Sequence, residues 1–162
     1  MKKLNKKGSF GDMFYILMVL VVCAFVFVIG WVLHSKVNTA FQASSDIAAT
    51  GKTMMQSGVD RYVKTFDNLF LTIGVAMYLG ALILAWQVDT SPVFFFLSIV
   101  VFAVLVILAA VYGNAFYTFS QNANISTYAS DFTIIPLVMN NFVEIMVVLA
   151  FGLAGVMYAK TK

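Results

Sequence analysis

Few residues in this chain could do chemistry. Glu144 is the only acid inside an apolar stretch, and Asn140 and Asn141 precede it by four and three residues, which puts all three on one face of a helix. A carboxylate within a membrane is by default a candidate for ion or proton handling. A carboxylate at the headgroup boundary does no such work, and the uncharged run after it, Ile145 to Tyr158, is short enough to put the membrane edge near Glu144. A transport path also needs a second polar partner at mid-depth, and the three other apolar runs offer no acid or base there.

The remaining candidates are isolated. His34 is the only histidine and stands close to Trp31 and Leu33 with no Cys or His cluster around it, which fits an interfacial polar residue better than a metal ligand. Cys23, the one cysteine, lies in an apolar run and fits a small apolar filler, and with no second cysteine it cannot form an intramolecular disulfide. Met54 and Met55 suit packing rather than metal binding. No nucleophile stands with a base, and no glycine-rich phosphate loop, paired carboxylates or dinucleotide fingerprint occurs. The expectation is no catalysis, no cofactor, no metal and no nucleic-acid partner.

The elements that would position these residues are membrane spans. The chain has 162 residues, 62% hydrophobic and 10% charged, with a mean hydropathy of +0.94. A soluble domain carries about 25% charged residues because its surface faces water. Pro92 to Tyr112 is a run of 21 residues with no charge and Ser98 as its only clearly polar side chain. As a helix it would be about 31 Å long, which matches a hydrocarbon core of about 30 Å.

These observations predict an all-α integral membrane protein in one domain, with spans near 12–33, 69–87, 92–112 and 137–158. Ser9 and Asp12 match a capping pattern, so the first helix should start near Phe10. Tyr15 and Trp31 lie near the ends of span one, where aromatic belts form. Its apolar run is longer than that of a cleaved signal peptide, and Asn38 and Ala40 make a poor cleavage site. Lys7-Gly8 before an apolar helix resembles a type IV prepilin leader, but Met13 stands where that family has a glutamate.

Residues 37–66 carry an apolar stripe through Phe41, Ala48, Met55 and Tyr62, interrupted at Ser44, Ser45 and Gly51. They read as an amphipathic helical segment that lies in the interface, extends span one outwards or packs on a neighbour. Asp67-Asn68 should cap span two. Ala76 and Gly80 have the small-x-x-x-small spacing that brings helix backbones together in lipid, and Gly152 and Gly155 offer similar contacts in span four. The connection Gln87 to Ser91 is so short that spans two and three should be antiparallel neighbours, with Pro92 at the first helical position. Residues 113–135 form a polar, aromatic-rich loop whose only charge is Asp131, suited to the headgroup level or to cover by a partner. Asn124-Ile125-Ser126 also matches a glycosylation sequon. Pro136 should open span four.

Four spans place both termini on one side. Lys2, Lys3, Lys6, Lys7, Lys160 and Lys162 lie there, while Lys36, Lys52, Arg61 and Lys64 lie opposite, so the positive-inside rule puts the termini on the cytoplasmic-equivalent side.

The layout as a whole begins with KKLNKKGSFGDMF and a first span, continues through an amphipathic segment and a hairpin at Asp89-Thr90-Ser91-Pro92-Val93-Phe94-Phe95, and ends in a short basic tail. It resembles small multi-span membrane proteins of tailless icosahedral viruses with an internal lipid membrane, of the tectivirus and corticovirus kind. The scarcity of chemistry points to a protein that works by shape and packing, as a homo-oligomer or in contact with a membrane or capsid protein layer. The resemblance implies a virion component that lies in the vesicle under the capsid, shapes it and links it to the shell, and it assigns no functional residue. Set against it are a small channel, holin-like pore or transporter subunit using Asn140, Asn141 and Glu144, and an accessory subunit of a larger membrane complex.

Overall fold

The computed structural model of the chain describes residues 10–87 and 92–160. The capping expectation at Ser9, the side chain of Asp12 and the connection at 88–91 lie outside what is described. The described residues are helical nearly throughout, with no strand among them: α1 Phe10–Ala43, α2 Ala49–Gln87, α3 Pro92–Ser120, α4 Ser126–Ala129, α5 Ile134–Asn140 and α6 Phe142–Lys160. Among the described residues, four helices are long and apolar enough to cross a membrane: Met13–Ala43, Ala49–Trp86, Phe96–Ser120 and Phe142–Ala159.

The 37–66 segment forms no helix of its own. Its first part continues α1 and its second part begins α2, with the chain turning at 44–48. Ser44 and Ser45 explain the turn, because the Ser44 hydroxyl accepts the Asp46 N–H and the Ser45 hydroxyl donates to the Asp46 carboxylate. Gly51, by contrast, stays helical. The two arms are tied by Asn38 Nδ2 donating to Gln56 Oε1 at 3.1 Å and by a reciprocal pair between Gln42 and Lys52. In that pair each side chain donates to the other residue's backbone carbonyl, at 3.0 and 2.9 Å. The result is a two-helix finger that extends about 18 Å from the level of Trp31 to the turn.

Packing runs in a ring: α1 against α2, α2 against α6, α6 against α3, and α3 against α1. Consecutive α2 and α3 therefore sit diagonally, which corrects the expectation that they are direct neighbours. The last span comes between them. Tyr78 of α2 reaches the backbone at Gly152, and Ser98 of α3 donates to the sulfur of Met157 at 3.9 Å. The core holds Leu17, Ala24 and Val28 of α1, Phe70 of α2, Phe116 of α3, and Ile135, Met139, Phe142 and Met146 of α5 and α6.

The fourth span is broken. Asn141 (φ −107°, ψ 28°) separates α5 from α6, and both its backbone N–H and its Nδ2 donate to the carbonyl of Leu137, at 3.3 and 2.7 Å. The Leu137 carbonyl thus accepts both the helical bond and a side-chain bond, a back-bonding pattern that bends helices. Gly113 faces this break, and a Cβ there would stand 3.1 Å from the Met139 carbonyl oxygen and 3.5 Å from Phe142 Cβ. Pro136 is the third residue of α5 rather than the first, still within the first turn, where its missing N–H costs no helical bond.

Candidate functional site

The most constrained polar site joins the base of the finger to the last loop. Asp67 is 6% exposed and lies inside α2, so it is not the cap of span two. Its carboxylate reaches across to the start of α5. Oδ2 accepts the N–H of Thr133 at 2.9 Å, Oδ1 accepts that of Ile135 at 2.8 Å, and both oxygens accept that of Ile134, at 3.0 and 2.8 Å. These donors have no partner within their own helix, and Thr133, the residue at the cap position, makes no side-chain cap bond. A negative charge is also favoured at a helix N-terminus by the helix dipole. Asp67 is thus a helix cap supplied from another helix, and it stays buried because its charge is met by three backbone donors.

A second tie lies one side over. Trp31 Nε1 donates to Asp131 Oδ2 at 2.7 Å, which fastens α1 to the segment between α4 and α5. Aromatic rings fill the space between α1 and the start of α2. Tyr62 stacks on Trp31 at 5.5 Å and on Phe66 at 4.2 Å, and Phe66 meets Phe27 edge-on at 4.9 Å. The Tyr62 hydroxyl fits against Gly30, where any Cβ would collide with it. Trp31→Phe keeps an aromatic ring and removes the donor. It should cost about 2 kcal/mol, the usual worth of a hydrogen bond to a charged acceptor, read as a lowered melting midpoint in detergent.

His34 completes the stack, at 5.3 Å from Tyr62, and its buried Nε2 has no hydrogen-bond partner. Cys23 is half-buried among apolar neighbours in α1. Among the described residues no three His, Cys, Asp or Glu side chains converge as a metal-binding group.

The polar trio of the fourth span is not gathered into a site. Asn140, Asn141 and Glu144 are all exposed on the outside of the bundle. Asn140 ends α5, Asn141 is the break, and Glu144 lies in the first turn of α6, so no continuous helix carries them. Asn140 instead borders a shallow cleft with Ser120, Gln121, Ser126 and Ser130. Glu144 precedes Ile145, which lines an apolar pocket with Leu20, Gly74 and Val75, so it stands on the membrane side of the Asp67–Asn68 level.

Of the small residues singled out for helix packing, Gly152 lies under the Tyr78 hydroxyl, where a Cβ would collide. Ala76 is exposed, and a Cβ at Gly80 or Gly155 would meet nothing within 4 Å, so these three make no close approach within the chain. Their neighbours Ala81 and Ala85 are the buried ones. The glycines that do admit a neighbour closely, Gly30 and Gly113, have no local signal beyond being glycine within a helix. The role of Asp67 is equally hidden, because its partners lie 66 to 68 residues away.

The outer apolar surface is not level around the bundle. On α2 the exposed side chains change from Asp60, Arg61 and Lys64 to Leu69 and Leu71 across Asn68. On α1, at the level of the same charged stretch, Val26, Ile29 and Leu33 are exposed and apolar. The two boundaries differ by about 10 Å, a mismatch met by tilting, local thinning of the bilayer, or cover by protein. No protein-family model matches the chain, no curated protein is similar to it, and no solved structure matches it.

Proposed function

We propose that the protein is a structural integral membrane protein: a four-span anchor that organises the bilayer around it and presents a rigid finger and a tied loop to a protein layer or to a second copy. The observation that carries the reading is the use of the polar groups. Asp67 and the Trp31–Asp131 pair fasten the finger and the last loop to the bundle, and the polar trio of the fourth span faces outwards rather than into a shared path. Catalysis has no part in this reading. The uneven apolar boundary on α1 supports contact with another protein on that face. In its most specific form the proposal places the chain in the internal membrane of a virion, and what supports that form is the resemblance of the chain's layout.

Mass spectrometry across a density gradient of the source material tests it. The protein should follow lipid-containing particles together with a shell protein. Recovery only from free cell membranes, as an oligomer that conducts ions, would overturn the reading. Vesicles reconstituted with the full chain should leak no faster than lipid alone, and Glu144→Gln should change nothing. A flux abolished by that substitution would make the outward-facing trio a pore lining.

A further inference from the structure

We propose that Arg61, Lys64 and Asn68, on the outer face of α2, bind the phosphodiester group of a membrane glycerophospholipid whose acyl chains lie along the apolar stripe beneath them. Residues 61, 64 and 68 are spaced by three and four, so they share one face of the helix, and with Asp60 and Thr65 they line a shallow polar groove. The same face continues through Leu71, Val75, Leu79 and Ile83, all exposed, and ends at exposed Trp86.

The distances along this face fit a leaflet-to-leaflet span. Asn68 to Trp86 is about 27 Å, close to the thickness of the hydrocarbon core of about 30 Å. Lys64 and Arg61 then stand about 6 and 10 Å beyond the edge, at the depth of the headgroup phosphates. An indole at the other end suits the opposite interface.

The charges fit as well. Arg61 and Lys64 are exposed, and no ion pair joins either to another described residue. Asp60, the one acid in the groove, accepts a hydrogen bond from Gln56 Nε2 at 3.0 Å. Two cations and one acid leave one net positive charge, which a phosphodiester monoanion neutralises. The guanidinium fork can hold two phosphate oxygens, with the ammonium and the Asn68 amide as further donors. A free anion would make the polar contacts alone, whereas the lipid also covers the stripe below.

Native mass spectrometry of the full chain in detergent tests the site. The probes are phosphatidylglycerol and a galactosyl diacylglycerol with the same acyl chains. Wild type should retain phosphatidylglycerol in preference, and R61Q/K64Q should lose that preference by about tenfold or more, given about 1 kcal/mol per interfacial cation. Both positions are exposed, so an unchanged melting midpoint should show the double variant folded, and R61K should keep the preference. Lys36→Gln, at an exposed cation on α1, should keep it too. The proposal fails if R61Q/K64Q retains phosphatidylglycerol as well as wild type does. It also fails if K36Q loses it equally, or if millimolar inorganic phosphate displaces the lipid, which would mark a free-anion site.

Discussion

Asp67→Ala is expected to destabilise the protein by about 3 kcal/mol, the largest loss from any single polar side chain in the fold. The substitution removes four hydrogen bonds to three backbone donors and leaves those donors at the start of α5 without an acceptor. It also removes the negative charge that the α5 dipole favours. Asp67→Asn keeps one accepting oxygen but turns an amide donor towards the same N–H groups, so it should recover only part of the loss, about 1 kcal/mol. The effect should be local before it is global. Amide exchange at Thr133, Ile134 and Ile135 should accelerate well before exchange in α3, because α5 loses its cap while the ring of spans still packs. A loss under about 1 kcal/mol in Asp67→Ala, with exchange at these amides unchanged, would mean that water satisfies the α5 donors and that Asp67 ties nothing.

Gly113→Leu should be the most damaging apolar substitution, at about 3 kcal/mol or more. The obstacle is the Met139 carbonyl, 3.1 Å from where Cβ would stand, and a backbone atom at a helix break cannot step aside as a side chain can. Gly113→Ala separates two effects of similar size. Alanine gains about 1 kcal/mol in helix propensity and loses a comparable amount to the tight contact, so its net change should be small. Gly80→Ala and Gly155→Ala meet open space and should be neutral or slightly stabilising within the monomer. Melting midpoints in detergent across these four variants check the series. Tolerance of leucine at 113 would contradict the close approach of α3 to the break.

The spans were legible in the sequence because a charge-free run of about 20 residues has one stable solvent and one stable backbone form. Pro92 to Tyr112 needed no neighbour to be read as a helix. The arrangement of the spans was not legible in this way. A short connection after Gln87 argues for adjacency of spans two and three, but it fixes only their ends, and the side-chain fit of Tyr78 with Gly152 brings α6 between them. The candidate trio is not carried by one uninterrupted helix. Helical spacing from Asn140 to Glu144 assumes regular backbone throughout, and Asn141, with its amide on the Leu137 carbonyl, is the non-helical residue between α5 and α6. Asp67 shows the limit most clearly. Its position before an apolar run is what a local cap looks like, while the helix it caps begins 67 residues later.

Single-cysteine labelling tests the central claim, a four-span anchor with its finger on one side, most directly. In a Cys23→Ala background, cysteines are placed singly at Ser45 on the finger turn, at Ala123 in the loop after α3, and at Ala159 near the end of α6. A membrane-impermeant maleimide applied to sealed vesicles should label positions 45 and 123 from the same side and position 159 only from the other. Labelling of 45 and 159 from one side, or protection of 45 by the bilayer, would contradict the account.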